Sequence, residues 1–491
     1  MNKEIRKYYK YNYWKQLDFR YRLRLLNREK NLNKRVTLAQ NLIYYACANG
    51  IGVLTCVELE KVFVDLSNTI SISHNIDYSE NSFLHVMTQA YLVGGHTRVV
   101  ERWVENSPKS QKHSIVLLDQ QDVPFPKTLR NSAMNHNGEL FVFKEKDIIG
   151  RATKLRELAS SYEYVILHVH MDDPTAIVAF GTKEFTRPII FFNHADHSYW
   201  CGASIVDMLA DLRDNEMVSP RRGIQNIYPI RIPFEPNILF LNYPRTKEES
   251  RKKLGLPLDK KIILTVGASL KYEPFASCEF CNLISEIVLK HNDVICYGIG
   301  PLPTTGNWSK YNEQFVALGS IDYGDRYFDY LNSCDVYINS MPISGGTAML
   351  DAVQFHKPVL SYSFFDTKLG EIVRGIRDTN DKAFFLHQLE NILSSDENAV
   401  DFAKKQFDKV WSYHGVDIWH SNINIMLTKT PKNHSINLSM KTKYKIDDLA
   451  IMLSLWNQTI SRKSLSIYDV CHIFKMLCYS IIERIKKKQL S

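Results

Sequence analysis

The feature that most constrains this chain is a repeated unit: a short β-branched run ending in glycine or polar residues, then a loop and a helix-length segment. Residues 261–267 (KIILTVG), 293–298 (DVICYG), 315–319 (FVALG) and 334–340 (CDVYINS) each read as a buried parallel strand, with helical stretches between them. The fourth leads into residues 344–362 (SGGTAMLDAVQFHKPVLSY), a small-residue loop, a helix-length segment and another apolar strand. Strands alternating with helices, with glycines at the strand exits, describe an open α/β sheet. Such sheets bind ligands along the carboxyl edge of their strands.

Two of these exits carry chemistry. Gly345, Gly346 and Thr347 open a helix, where unbonded amides and bare glycine backbone can accept phosphate oxygens. A tight turn before a surface helix is the plain alternative. Asp351, about one turn into that helix, is placed to accept hydrogen bonds from ribose hydroxyls. Residues 268–274 (ASLKYEP) form a loop that carries Lys271.

The N-terminal half has its own series. Residues 83–87 (FLHVM) read as a strand, followed by Gly94, Gly95 and His96 and a helix over 98–103. Further strands are expected at 114–118, 140–143, 164–170 and 188–192. The last runs into NHADHSYW, where His194, Asp196 and His197 form the densest titratable cluster of the chain beside two aromatics. His or Asp can serve as a base beside a nucleophile, and the aromatics suit a sugar ring or a peptide. A metal would need a further ligand from elsewhere, and buried structural histidines are the plain reading. His168 and His170 alternate with Val169, so both are expected to point the same way into a core. Arg221 and Arg222 are expected to decorate a loop.

The series VGASLK, YGIGP, VALGSI, CDVYINSM and GGTAMLDAVQFHKPVLSY resembles the nucleotide-sugar half of GT-B glycosyltransferases over residues 261–362, and the paired glycines at Gly94 and Gly95 extend the resemblance to the first domain. The large retaining group of that family carries two glutamates spaced across the phosphate loop; here Ile343 and Asp351 occupy those places, which tilts towards inversion. Lys271-Tyr272-Glu273-Pro274, with the GGT loop and Asp351, is also similar to the O-GlcNAc transferase and bacterial N-glycosyltransferase group, although no tetratricopeptide repeats precede it.

The resemblance implies two Rossmann-like domains facing a cleft and transfer from a nucleotide diphosphate sugar, UDP-sugar favoured. The acceptor is a glycan, a lipid-linked molecule or a protein, in bacterial surface glycan or glycoprotein synthesis. Gly94, Gly95, Lys271, Gly345, Gly346 and Thr347 would face the donor phosphates. Asp351 would hold the ribose, and Gly298, Gly300 and Pro301 would shape the base pocket. His96 or the His194, Asp196 and His197 group would take the acceptor proton. No cofactor or metal is required. A non-hydrolysing sugar-nucleotide epimerase shares the architecture, and an inactive nucleotide-binding partner subunit is a third reading.

Composition sets the outer limits. Hydrophobic content of 45% and charged content of 23% over 491 residues suit large cores. The nine cysteines show no zinc spacing apart from Cys278 and Cys281, and that pair reads as core thiols on one helical face. With no signal peptide visible, a cytoplasmic location is expected. No run of about 20 apolar residues could span a membrane. The net charge of +8 concentrates at residues 1–35 and 481–490, where anionic membrane contact and a solvated helical face both fit. No nucleic-acid module accompanies the charge. The expected organisation is a basic helical extension (1–78), an acceptor domain (79–235), a nucleotide-sugar domain (236–395) and a helical C-terminal region (396–491).

Overall fold

A computed structural model describes residues 3–71, 77–92, 95–213, 218–234, 243–274, 279–311, 313–363 and 371–447. Three helices come first: α1 (Lys3–Arg28), α2 (Leu32–Ala48) and α3 (Val57–Ser67). A seven-stranded sheet follows, built from β1 (Ser79–Met87), β2 (Lys112–Leu117), β3 (Leu140–Val142), β4 (Tyr162–His168), β5 (Ile189–Asn193), β6 (Met208–Asp211) and β7 (Ile227–Pro229). Its helices are α4 (Gly95–Glu105), α5 (Lys127–Met134), α6 (Ile148–Ser160) and α7 (Thr175–Phe180).

The second lobe opens with α8 (Lys247–Leu254). A Thr246–Glu249 capping box starts this helix, and Gly255, left-handed at φ 67°, ends it. A six-stranded sheet comes next: β8 (Lys261–Val266), β9 (Val294–Ile299), β10 (Phe315–Gly319), β11 (Val336–Ile338), β12 (Val359–Tyr362) and β13 (Asp378–Thr379). The helices α9 (Phe280–Val288), α10 (Asp325–Ser333), α11 (Thr347–Gln354) and α12 (Lys382–Ser394) flank it, and α13 (Asp396–His414) and α14 (Val416–Lys429) close the series.

Both sheets are parallel and share one winding. The first runs β3-β2-β1-β4-β5-β6-β7 and the second β10-β9-β8-β11-β12-β13. In each, the order reverses beside the first strand, between β1 and β4 and between β8 and β11. Chains leaving those neighbours turn opposite ways and open a crevice at the carboxyl edge. The loops after β1, β4, β8 and β11 therefore border the two crevices; Lys271, Gly345 and Gly346 lie in them, Gly95, His96 and Thr347 begin the helices they lead into, and His194, Asp196 and His197 follow β5.

Helices α1 to α3, helix α14 and residues 430–447 pack onto the lobes rather than standing apart as appendages. Phe19, Leu23 and Leu26 of α1 share a buried cluster with Val62 and Phe63 of α3 and Val165 of β4. At the other end, α14 returns to the first lobe: Trp419 meets Trp103 of α4 edge-on at 5.1 Å, and Tyr228 bonds Asn422. The crossing falls after Gly415, where α13 stops. Residues 430–447 then lace along the first lobe, with Asn437 N–H donating to Ser204 O (2.8 Å) and Lys445 N–H to Gly52 O (2.9 Å). Cys278 and the basic run at 481–490 lie outside the described residues; Cys281 is a buried free thiol. Among the described residues no helix is long and apolar enough to cross a membrane.

Candidate active site

In the second lobe, Lys271 sits on a single helical turn (Ser269–Tyr272) directly after β8. Its side chain reaches across the switch point, and the ammonium donates to Ser344 O at 3.2 Å. That is its one hydrogen bond among the described residues, and no carboxylate there pairs with it. Burial pulls its pKa down to about 8. A β-carbon at Gly345 would lie 3.2 Å from the ammonium nitrogen, so glycine is what lets the lysine approach the loop. Asn339 shapes the same loop: its Oδ1 accepts from Ser340 N–H (2.9 Å) and Gly345 N–H (3.1 Å). Gly346 and Thr347 then begin α11. The site thus brings together a half-buried cation with no carboxylate partner among the described residues, a glycine turn and a helix N-terminus, an arrangement that can accept an anion.

The first lobe presents the opposite wall. A β-carbon on Gly95 would stand 3.0 Å from Thr347 Oγ1, so the two glycine loops meet face to face. Gly94 lies outside the described residues. His96, in the first turn of α4, has its Nε2 2.7 Å from His168 O. A carbonyl only accepts, so Nε2 carries the proton and Nδ1 is left as the acceptor. Burial, with His194 and His170 nearby, holds the His96 pKa well below its usual value. The His194 ring is 4.6 Å from it and His170 is 6.0 Å away. Burial and His170 lower the His194 pKa to about 4. At neutral pH both rings are uncharged.

Other expectations need correction. Asp196 is 3% exposed and paired with Arg213 at 2.9 Å and His197 at 3.4 Å. Burial alone would raise its pKa, but those neighbours hold it at about 2. It is an anchored anion, not a free base. Asp351 is also closed off: one oxygen accepts from Arg102 and the other from Tyr327 Oη (2.9 Å). An acidic residue so committed has no open oxygen for a ribose. Gly298 faces inwards, where a β-carbon would strike the Trp308 ring at 2.3 Å, so it makes room for core rather than for a base. Gly300 and Pro301 do stand at the edge: Gly300, at φ 105°, passes against Gly267 O, and Pro301 O accepts from Gly319 N–H (3.0 Å).

The alternation expected at His168 and His170 fails because β4 ends at His168. His168 is buried in a chain of rings, His168 Nε2 to His85 Nδ1 at 3.1 Å and His85 Nε2 to His113 Nδ1 at 2.9 Å. His170 turns outwards to Tyr91 and His96. Arg222 is no loop decoration. It is 1% exposed, donates to Leu54 O, Asp196 O (2.9 Å) and Ser198 O (2.7 Å), and lies over the Trp200 ring. It fixes the loop that carries His194, Asp196 and His197. Arg102, Arg213 and Tyr91 had no local signal, because each matters through a partner distant in sequence. Among the described residues no group of three or more His, Cys, Asp or Glu is placed to hold a metal.

Two facing lobes, each a doubly wound parallel sheet with flanking helices, make up the GT-B fold. No protein-family model matches the chain, and no curated protein matches it. Solved structures do. The chain is similar to HepE of Anabaena, in a complex with UDP and glucose, at 13% identity and a TM-score of 0.52 over 70% of this chain and 99% of that one. It is similar to a glycosyltransferase from Rickettsia africae at 14% identity and a TM-score of 0.51, covering 72% of this chain and 98% of that one. Sucrose-phosphate synthase from Thermosynechococcus elongatus gives 12% identity and a TM-score of 0.50, with 71% and 100% covered. The shared property is the fold.

Proposed function

We propose that the protein transfers a sugar from a nucleotide diphosphate sugar, UDP-sugar favoured, to a glycan, lipid-linked or protein acceptor. The observation that carries this reading is the half-buried Lys271 ammonium, with no carboxylate partner among the described residues, at the Gly345–Gly346–Thr347 turn that meets Gly95 of the other lobe. An acceptor hydroxyl or amide attacks the anomeric carbon as the bond to the diphosphate oxygen breaks. Lys271 and the α11 amides offset charge growing on the leaving diphosphate. His96 Nδ1 takes the acceptor proton if the anomeric centre inverts.

The exposed Tyr11, Tyr13 and Trp14, set among the lysines and arginines of α1, suit a lipid-borne acceptor at an anionic surface. Co-sedimentation with phosphatidylglycerol vesicles, against phosphatidylcholine alone, tests that part. For the donor, calorimetry with UDP, GDP and ADP comes first, then turnover of the matching sugar nucleotides with and without acceptor. Binding of none of the three sinks the proposal, and isomerisation of the donor without acceptor makes the protein an epimerase instead.

A further inference from the structure

Helix α4 touches the second lobe along one stripe. Gly95, Arg98 and Arg102 recur at three- and four-residue steps and so share a face, which Asn106 continues just past the helix end. Gly95 abuts Thr347, and the Arg98 guanidinium lies 4.1 Å from the centre of the Tyr323 ring. Arg102 donates to Asp351, whose other oxygen accepts from Tyr327. Asn106 Nδ2 donates to Phe234 O (3.2 Å) between the lobes, and its own carbonyl accepts from His420 of α14.

The ion pair at the middle of this stripe is the unusual member. Arg102 is 0% exposed and Asp351 2%. Taking both charges out of water offsets most of their attraction, so an apolar pair of similar shape would hold the lobes at least as firmly. What the pair offers is direction: it exists in one geometry, and each charge regains water when the lobes part. Its position adds meaning. Asp351 lies one turn after Thr347 on α11, and Arg102 lies six residues after His96 on α4. The two helices that begin at the two site loops are thus pinned to each other just behind those loops.

We infer that Arg102 and Asp351 are positioning residues, an interlobe clasp that sets the spacing between the His96 loop and the donor loop. This rests on the proposed transfer reaction only for its consequence in turnover; the spacing itself is measured without substrate. A β-carbon on Gly95 would be 3.8 Å from Thr347 Cβ, the separation a disulfide requires. The test is the rate at which Gly95→Cys/Thr347→Cys crosslinks in the full chain under mild oxidation, followed by mass spectrometry of the joined peptides.

Rapid crosslinking is expected in the otherwise unaltered chain and with Arg102→Lys, and a loss of about tenfold or more with Arg102→Met or Asp351→Asn. In the chain without the cysteine pair, Arg102→Met and Asp351→Asn should lower kcat on the order of 100-fold with the donor KM little changed. Asp351→Asn keeps the side-chain shape, so it carries the test if Arg102→Met does not fold. Equal crosslinking rates in all backgrounds, or no crosslink in any, overturn the clasp. If crosslinking slows as expected but no nucleotide binds, the clasp stands and the donor reading fails.

Discussion

Under the proposed transfer, Lys271 and His96 divide the work of the cleft at the level of single residues, and each makes its own prediction. The Lys271 ammonium is a cation below its pKa of about 8 and neutral above it. UDP carries a fully ionised diphosphate at that pH, so its affinity should fall as pH rises through about 8. Calorimetry at pH 6.5 and 9.5 reads the change, and Lys271→Ala should flatten it. The substitution itself should weaken UDP binding roughly 10- to 100-fold, the value of about 1.5–3 kcal/mol for one charged hydrogen bond. His96→Ala should lower kcat roughly 100-fold or more while leaving UDP affinity in place, since the proposed base acts on the acceptor proton and not on the diphosphate. If His194 is the base instead, the acid limb of the kcat profile sits near pH 4, because the ring loses its lone pair as pH falls through that value. Lys271 and the glycine turn were legible because their chemistry is local: a cation after one strand, small residues after another. The commitments of Asp351 and Asp196 were not, since Arg102 and Arg213 approach them from other parts of the chain.

At the scale of elements, the strands β1 to β5 and β8 to β12 announced themselves through short apolar runs, most of them rich in β-branched or aromatic residues, of the kind a parallel sheet buries. Those left unseen are short and differently composed. β6 reads Met-Leu-Ala-Asp, β7 ends in Pro229, and β13 is an Asp-Thr pair. Each joins its sheet through neighbours already in place, so its sequence need not argue for a strand. The loop at 194–200 shows the same dependence. It has no regular structure and is held by Arg222, whose guanidinium satisfies carbonyls from Leu54 to Ser198. Burial lowers its pKa to about 9, which still leaves it charged at neutral pH. Arg222→Ala should strand several buried carbonyls at about 1–3 kcal/mol each. Urea denaturation should therefore register a loss of ~3 kcal/mol or more, with His194 and His197 released from their places and turnover falling with it.

On the scale of the whole molecule, the question is whether two lobes with separate sheets behave as one. A single buried cluster answers it: Phe83, Trp103 and Phe192 of the first lobe pack with Leu264, Tyr337 and Met349 of the second, and with Trp419 of α14. The chain reaches this arrangement by returning to its first lobe after completing the second, a route that composition does not reveal. Residues 1–78 looked like a basic appendage because lysine and arginine dominate their surface, while Phe19, Leu23 and Leu26 enter the core from one stripe of α1. Trp419 is the test of coupling. It is 2% exposed and bridges α14 to Trp103 on α4. Trp419→Ala should cost about 3–5 kcal/mol as a large aromatic lost from a packed core. The cost should fall on the joint rather than on either sheet, because the ring touches α4 from outside both. Calorimetry should then resolve one unfolding transition into two. A single transition that merely moves to lower temperature would mean that the shared cluster couples the lobes without α14, and that the returning helix stabilises the first lobe alone.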